Sequence, residues 1–310
     1  MEKKYNIGID IGGTNTVFGL VEKTGNIIKK GSISTKGFES INQFIIALKK
    51  EMEKSFPESF WSNIEKIGIG APNGNYYTGN IEFAPNLEWK GVLPLKNLFE
   101  SYFNIPTIVS NDANAAAMGE HQYGNAKGMH DFIMITLGTG VGSGFYSNGK
   151  IIYGHDGFAG ELGHVIAVRE GRSCGCGRKG CLETYTSATG IVKTAHDFLK
   201  ENPNSILYEV ENITAKEIFI AAEKNDELAK SIFDYTGKIL GQTLADAVAI
   251  TSPEAIILFG GLAQAGKYIF EPTQKYMEEN LLSIYKNKVK ILPSALSESD
   301  VAILGASALI

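Results

Sequence analysis

Three thiols and one imidazole in a short glycine-rich stretch are the side chains of this sequence best suited to chemistry. All three cysteines of the 310-residue chain, Cys174, Cys176 and Cys181, fall within eight residues, and His164 lies ten residues before the first. Three sulfurs and one ring nitrogen make a closed tetrahedral set, the donor pattern of structural zinc. Glycines at 175, 177 and 180 leave the backbone free to wrap a small ion. Glu161 and Glu183 flank the cluster and are not needed to fill the four positions, so they are available to bind something polar. Two other readings stand beside this one. The cysteines can be buried small hydrophobes, or Cys181 can pair with Cys174 or Cys176 in a disulfide that leaves one thiol over.

A second candidate chemistry is phosphate binding. An alternating strand from Tyr5 ends in Asp10-Ile11-Gly12-Gly13-Thr14, and a returning strand runs from Thr16 to Val21. Such a turn presents backbone N–H groups to phosphate oxygens, and Asp10 is placed to hold Mg²⁺ or its water shell. An ordinary glycine hairpin with a capping aspartate explains that loop equally well. The pattern recurs, however. Phe132 to Leu137 is followed by Gly138-Thr139-Gly140-Val141 and another returning strand. Ile7-x-Ile9-x-Ile11-Gly12 matches Ile133-x-Ile135-x-Leu137-Gly138, and Gly25-x-Ile27-Ile28 matches Gly149-x-Ile151-Ile152. An internal repeat of this kind predicts two similar units serving one nucleotide. A third Gly-Gly signal, Gly260-Gly261, follows the apolar run Glu254 to Phe259. It either admits a nucleoside at close range or merely turns the chain.

A general base has one clear candidate. Pro106 to Ser110 reads as a short strand running into Asn111-Asp112 and an alanine-rich helix. Capping that helix is one role for Asn111 or Asp112. At the carboxyl end of a strand, where α/β folds place ligands, Asp112 can also accept a proton from a substrate hydroxyl, with Asn111 orienting the substrate. Asn86, in a polar turn, is a candidate contact to a ligand hydroxyl, although turn asparagines commonly cap their own backbone.

The elements that must position these groups follow from apolar spacing. Phe38 to Lys54 reads as a helix with Ile41, Phe44, Ile45, Leu48 and Met52 on one face. Ile64 to Gly70 is a strand that ends in a loop at Gly70–Gly74, the segment through Asn80 to Leu87 is polar and turn-rich, and Pro94 to Phe103 is a short helix. After the cysteines come helices at Thr184–Leu199, Thr214–Ala222 and Asp226–Ile250, then the strand Glu254–Phe259. A helix at Gly266–Leu281, a strand at Val289–Leu292 and a last helix at Ser299–Ile310 complete the chain. With 44% apolar residues the chain can bury two cores. A net charge of −5 with mixed signs gives no basic field for nucleic acid. Met1-Glu2-Lys3-Lys4-Tyr5 runs straight into a strand, with no signal peptide and no apolar run near membrane-spanning length. The expectation is therefore a soluble, cytoplasmic protein with no membrane partner.

Taken together, Asp10–Thr14, Asn111-Asp112, Leu137–Gly140, the His164/Cys174/Cys176/Cys181 knot and Gly260-Gly261 resemble the ROK family of sugar kinases and repressors, in its glucokinase-like branch. The likeness covers essentially the whole chain, and the knot between Glu161 and Glu183 is its most specific part. It implies an actin-like ATPase fold of the ribonuclease H-like kind: two α/β domains with a ligand cleft between them. The domains would be a small one at 1–110 plus 297–310 and a large one at 111–296 carrying the zinc motif. It implies Asp112 as catalytic base, and Asn111, Glu161, His164 and Glu183 as ligands of sugar hydroxyls. Asp10, Gly12, Gly13, Thr14, Gly138, Thr139, Gly140, Gly260 and Gly261 would serve ATP with Mg²⁺. The implied reaction is transfer of phosphate to a hexose, glucose at O6 before N-acetylglucosamine, N-acetylmannosamine or fructose, by a homo-oligomer that is typically a dimer. A sugar-sensing binding protein without turnover is the rival from outside the enzymes. The repressor branch carries a DNA-binding module ahead of the first glycine loop, and about nine residues here leave no room for one. At Asn73 the chain departs from the glycine frequent in the family's Ala-Pro-Gly loop.

Overall fold

A computed structural model describes residues 4–202 and 204–309. Met1–Lys3 of the expected N-terminal run and Ile310 of the expected last helix lie outside the described residues. Two five-stranded sheets organise the chain, and they have the same strand order. In the first, Ile27–Ser34, Asn15–Glu22 and Tyr5–Ile11 form an antiparallel meander, and Ile64–Ala71 and Thr107–Asn111 continue it in parallel. In the second, Lys150–Ile151, Val141–Ser147, Phe132–Leu137, Ala255–Phe259 and Lys290–Pro293 repeat that order. Phe132–Leu137 is antiparallel to Val141–Ser147 and parallel to Ala255–Phe259. The physical reason is connection length: tight turns join the antiparallel strands, and parallel neighbours need a crossover. The sequence repeat is thus a repeat of topology.

Contacts group the described residues up to Met129, with Lys150–Gly160 and the end from Ser294, into one unit; His130–Gly149 and Glu161–Pro293 form the other. The helix Asp112–Tyr123, expected with the larger domain, instead packs on the terminal helix Val301–Ala308. A Cβ built on Gly119 would stand 2.9 Å from Gly305 Cα, a backbone approach that only glycine permits. The terminal helix also lies flat on the first sheet. A Cβ on Gly8 would stand 1.9 Å from the Ile303 carbonyl oxygen, and one on Gly68 would stand 1.8 Å from that of Ala306.

The first unit's core gathers Ile7, Ile9, Phe18, Ile67, Phe99 and the whole expected face of the helix Ile41–Ser55. The second core is built on the helix Glu227–Thr251, buried on more than one face. Its Gly237 and Gly241 let the helix Lys267–Asn280 approach at Pro272 and Thr273. The expected helix from Thr184 breaks at Ser187, whose hydroxyl accepts the Gly190 N–H at 3.0 Å and caps Ala188–Leu199. The break is tied to the glycine loop, because the Ala188 N–H donates to the Gly138 carbonyl at 2.8 Å.

Candidate active site

In the first unit, two aspartates converge at the end of the sheet. Asp10 is half-buried near the end of Tyr5–Ile11, and Asp112 opens the helix that follows Thr107–Asn111. Between their strands, Gly70 keeps the space open: a Cβ there would lie 3.2 Å from Asp10 Oδ1 and 3.6 Å from Asp112 Cα. Burial, and then the charge of Asp112, pushes the Asp10 pKa up to about 7. The Asp112 side chain is accessible, yet protein crowding desolvates its carboxyl and raises its pKa, opposed by the N–H of Ala113 and its own. An accessible but poorly solvated carboxylate is a competent proton acceptor. Capping is real as well. The Ala113 N–H is shared between Asn111 Oδ1 at 2.9 Å and Asp112 Oδ1 at 2.8 Å. Since the Asn111 oxygen is engaged in this cap, its amide N–H₂ is the group it offers a ligand.

The first glycine loop turns between Ile11 and Asn15, with the Gly12 N–H on the Asn15 carbonyl at 3.1 Å. Asn86 packs on it: a Cβ on Gly13 would lie 2.7 Å from the Asn86 carbonyl oxygen. Asn86 and Thr14 are exposed. The structure thus places Asn86 against the glycine loop as well as on the surface.

In the second unit, the Gly138 N–H donates to the Gly140 carbonyl at 3.0 Å, and Thr189 Oγ1 donates to the Thr139 carbonyl at 3.0 Å. Gly260 joins this loop from far along the chain. Its φ is +100°, and a Cβ there would lie 2.6 Å from the Leu137 carbonyl oxygen, while a Cβ on Gly138 or Gly261 would meet nothing within 4 Å. Gly138 and Gly261, from two distant segments, therefore leave open space beside one hairpin, and Gly260 lets the two backbones approach closely.

The knot is assembled in the same unit. The ligand atoms of His164, Cys174, Cys176 and Cys181 all lie within 4.8 Å of one another. Cys176 Sγ and Cys181 Sγ are 3.6 Å apart, and Cys174 Sγ is 3.7 Å from His164 Nδ1. A tetrahedral zinc with Zn–S near 2.3 Å spaces its ligand atoms by about 3.5–3.8 Å, so the four residues fit the ion. The three thiols are free, which removes the disulfide alternative. The Arg178 backbone N–H lowers the Cys176 thiol to about 6, favouring the thiolate a metal requires. Glu161 precedes the short 3₁₀ turn Leu162–His164 and is exposed; Glu183 starts the short helix Glu183–Thr186, one oxygen 3.8 Å from Cys174 Sγ.

Two supporting residues escaped the sequence reading. Arg172 bolts the knot to the helix Ala188–Leu199. Its guanidinium donates to the carbonyls of Thr184 and Gly190, to Thr194 Oγ1 and to Asp197, and stacks 4.6 Å over the Tyr185 ring. Asn75, buried in the first unit, accepts the N–H groups of Tyr77 and Thr78 and donates to the Asp156 carbonyl at 2.7 Å. It thereby fastens the segment that leads to Glu161. The nearest sequence signal for Arg172 was its place beside the cysteines; Asn75 gave none.

The sequence profile of the ROK family matches residues 6–310, and the chain belongs to the ROK family. Its relatives include a glucokinase of Halalkalibacterium halodurans, 34% identical over 98% of this chain and 94% of the relative. A glucokinase of Thermotoga maritima is 32% identical over 100% of this chain and 98% of the relative. Among solved structures, a ROK family glucokinase from Streptomyces griseus in complex with glucose and AMPPNP is 32% identical. It aligns over 98% of both chains with a TM-score of 0.81. The fold is the actin-like ATPase fold of that family. Among the described residues, no helix is long and apolar enough to cross a membrane.

Proposed function

We propose that this chain is a glucokinase, transferring the terminal phosphate of ATP to the C6 hydroxyl of glucose. The observation that carries the reading is the Asp112 carboxylate, accessible yet desolvated, at a strand end beside Asp10. Phosphoryl transfer demands positioning and charge stabilisation more than covalent chemistry from the protein. Asp112 aligns the attacking hydroxyl and takes its proton. Asn111, Glu161, His164 and Glu183 hold the other sugar hydroxyls, with carboxylates as acceptors and amide or imidazole N–H as donors. Gly12–Thr14 and Gly138–Gly140 offer backbone N–H groups to phosphate oxygens, and Gly260-Gly261 leaves room for the nucleoside. Asp10 is the residue that would hold Mg²⁺ or its water, and the ion supplies charge neutralisation for the phosphates. Zinc held by His164 and the three cysteines would be structural, since four protein ligands would leave no open position.

A homodimer is part of this reading, on the strength of the family likeness, and light scattering of the purified protein tests it. ATP-dependent phosphorylation measured across glucose, mannose, fructose, N-acetylglucosamine and N-acetylmannosamine tests the function. Highest kcat/KM with glucose is expected. A preference for an N-acetylhexosamine would replace the substrate, and sugar binding without turnover would make the protein a sensor.

A further inference from the structure

Glu183 is assigned above to sugar hydroxyls, but its hydrogen bonds point elsewhere as well. One carboxylate oxygen accepts the Val141 N–H at 3.1 Å, across 42 residues of sequence. Val141 is the first residue after the glycine loop Gly138–Gly140. The loop is shaped around that carboxylate: a Cβ on Gly140 would lie 2.4 Å from the same oxygen. The segment that begins at Glu183 grips the loop at two further points, through the Ala188 N–H on the Gly138 carbonyl and the Thr189 hydroxyl on the Thr139 carbonyl. A stretch of seven residues from Glu183 thus ties down both sides of the hairpin proposed to hold phosphate.

We propose that Glu183 is a positioning residue for the nucleotide loop, and that sugar and nucleotide affinities are coupled through its carboxylate. The inference rests on the glucokinase reading for the identity of the two ligands. A sugar hydroxyl that draws on the Glu183 carboxylate changes what Val141 and Gly140 pack against, and a nucleotide that fixes the loop fixes the carboxylate. Coupling of this kind is reciprocal.

Calorimetry of the folded, zinc-containing protein tests it, with Mg·AMPPNP and glucose as probes, each alone and each in the presence of the other. Glu183→Ala frees the Val141 N–H, so Mg·AMPPNP should bind roughly tenfold more weakly without sugar present, the scale of a lost hydrogen bond to a charged group. Glu183→Gln keeps an acceptor oxygen and should keep the nucleotide affinity. Gly140→Ala pushes on the carboxylate and should weaken glucose binding with no nucleotide present, an effect that a pure phosphate-loop role would not produce. Nucleotide affinity unchanged in Glu183→Ala would overturn the proposal and leave Glu183 a sugar ligand alone. If that variant does not fold, Gly140→Ala decides, and unchanged glucose affinity overturns the proposal. A wild-type protein that binds Mg·AMPPNP but not glucose would sink the glucokinase reading instead, while the nucleotide arm still judges Glu183.

Discussion

Asp10 and Asp112 converge on Gly70, and the charge of the second helps to raise the pKa of the first. Burial is the larger cause, and together they bring Asp10 to about 7. The folded-state pKa lies above the unfolded value, so the folded state holds this proton more tightly. Stability from this site is therefore greatest below about pH 4, where both states are protonated. It is lost as pH rises towards 7, because the unfolded chain gives up the proton first.

The same shift predicts proton release on nucleotide binding. Near pH 7 Asp10 is partly protonated, and a divalent ion beside it favours the carboxylate. Titrating Mg·AMPPNP in two buffers of different ionisation enthalpy should give different apparent heats. In Asp10→Asn the buffer dependence should largely vanish. Equal heats in the wild-type protein would remove Asp10 from the metal–nucleotide site.

Asp112→Asn separates capping from catalysis. The asparagine oxygen can still share the Ala113 N–H with Asn111, so helix Asp112–Tyr123 should keep its start. As a base the amide is useless, and kcat should fall by roughly 10²-fold or more. In the wild-type enzyme kcat should decline on the acid side as Asp112, its pKa raised by desolvation, takes up its proton. A folded variant with near wild-type kcat would show that Asp112 only caps.

Much of this was legible in sequence because the signals are local and periodic. The strand–glycine–strand pattern at Ile7–Gly12 and again at Ile133–Gly138 gave the repeat, and helical spacing gave the buried face of Ile41–Ser55. The cysteine cluster gave its own ligand set. What stayed hidden depends on contacts between distant segments. No local pattern links Glu183 to Val141 or Asn75 to Asp156, and nothing near Asp112 says that its helix packs on Gly305. The departure at Asn73 also acquires a reason. Its φ is +51°, a left-handed backbone that glycine adopts freely and asparagine tolerates best among the others. Its side chain donates to the Glu82 carbonyl at 2.9 Å, so the asparagine keeps the turn a glycine would make.

Gly68 should be a point of high sensitivity in stability. A methyl group there would stand 1.8 Å from the Ala306 carbonyl oxygen, and a backbone helix cannot yield as a flexible side chain can. Gly68→Ala should destabilise the protein by about 3 kcal/mol or more, the upper end of overpacking. Gly138→Ala, where a Cβ meets nothing within 4 Å, should stay within about 0.5 kcal/mol of wild type. Urea unfolding of both variants gives the comparison, and similar midpoints would show that the terminal helix shifts to accommodate the methyl.

Removing the metal should affect the sugar before the nucleotide. His164 Nδ1 faces Cys174 Sγ at 3.7 Å, so that nitrogen is the one that would join a metal, which would leave Nε2 for a hydroxyl. A bound ion would fix both the tautomer and the direction of the ring, as partners around other metal sites do. Glu183 is held differently. It keeps the Val141 N–H on one oxygen, and the preceding Leu182 N–H is bonded to the Val165 carbonyl at 2.9 Å. Loss of zinc therefore releases the imidazole first, and the glycine hairpin retains its support. Glucose affinity should drop by roughly tenfold or more, the scale seen when orienting partners of a site are lost, while Mg·AMPPNP affinity changes far less. Calorimetry on chelator-treated protein, with circular dichroism to establish that both units stay folded, distinguishes this from a metal that merely pins a surface loop. Unchanged glucose affinity in folded, zinc-free protein would defeat the coupling of metal to sugar, even with one zinc per chain found in the native enzyme.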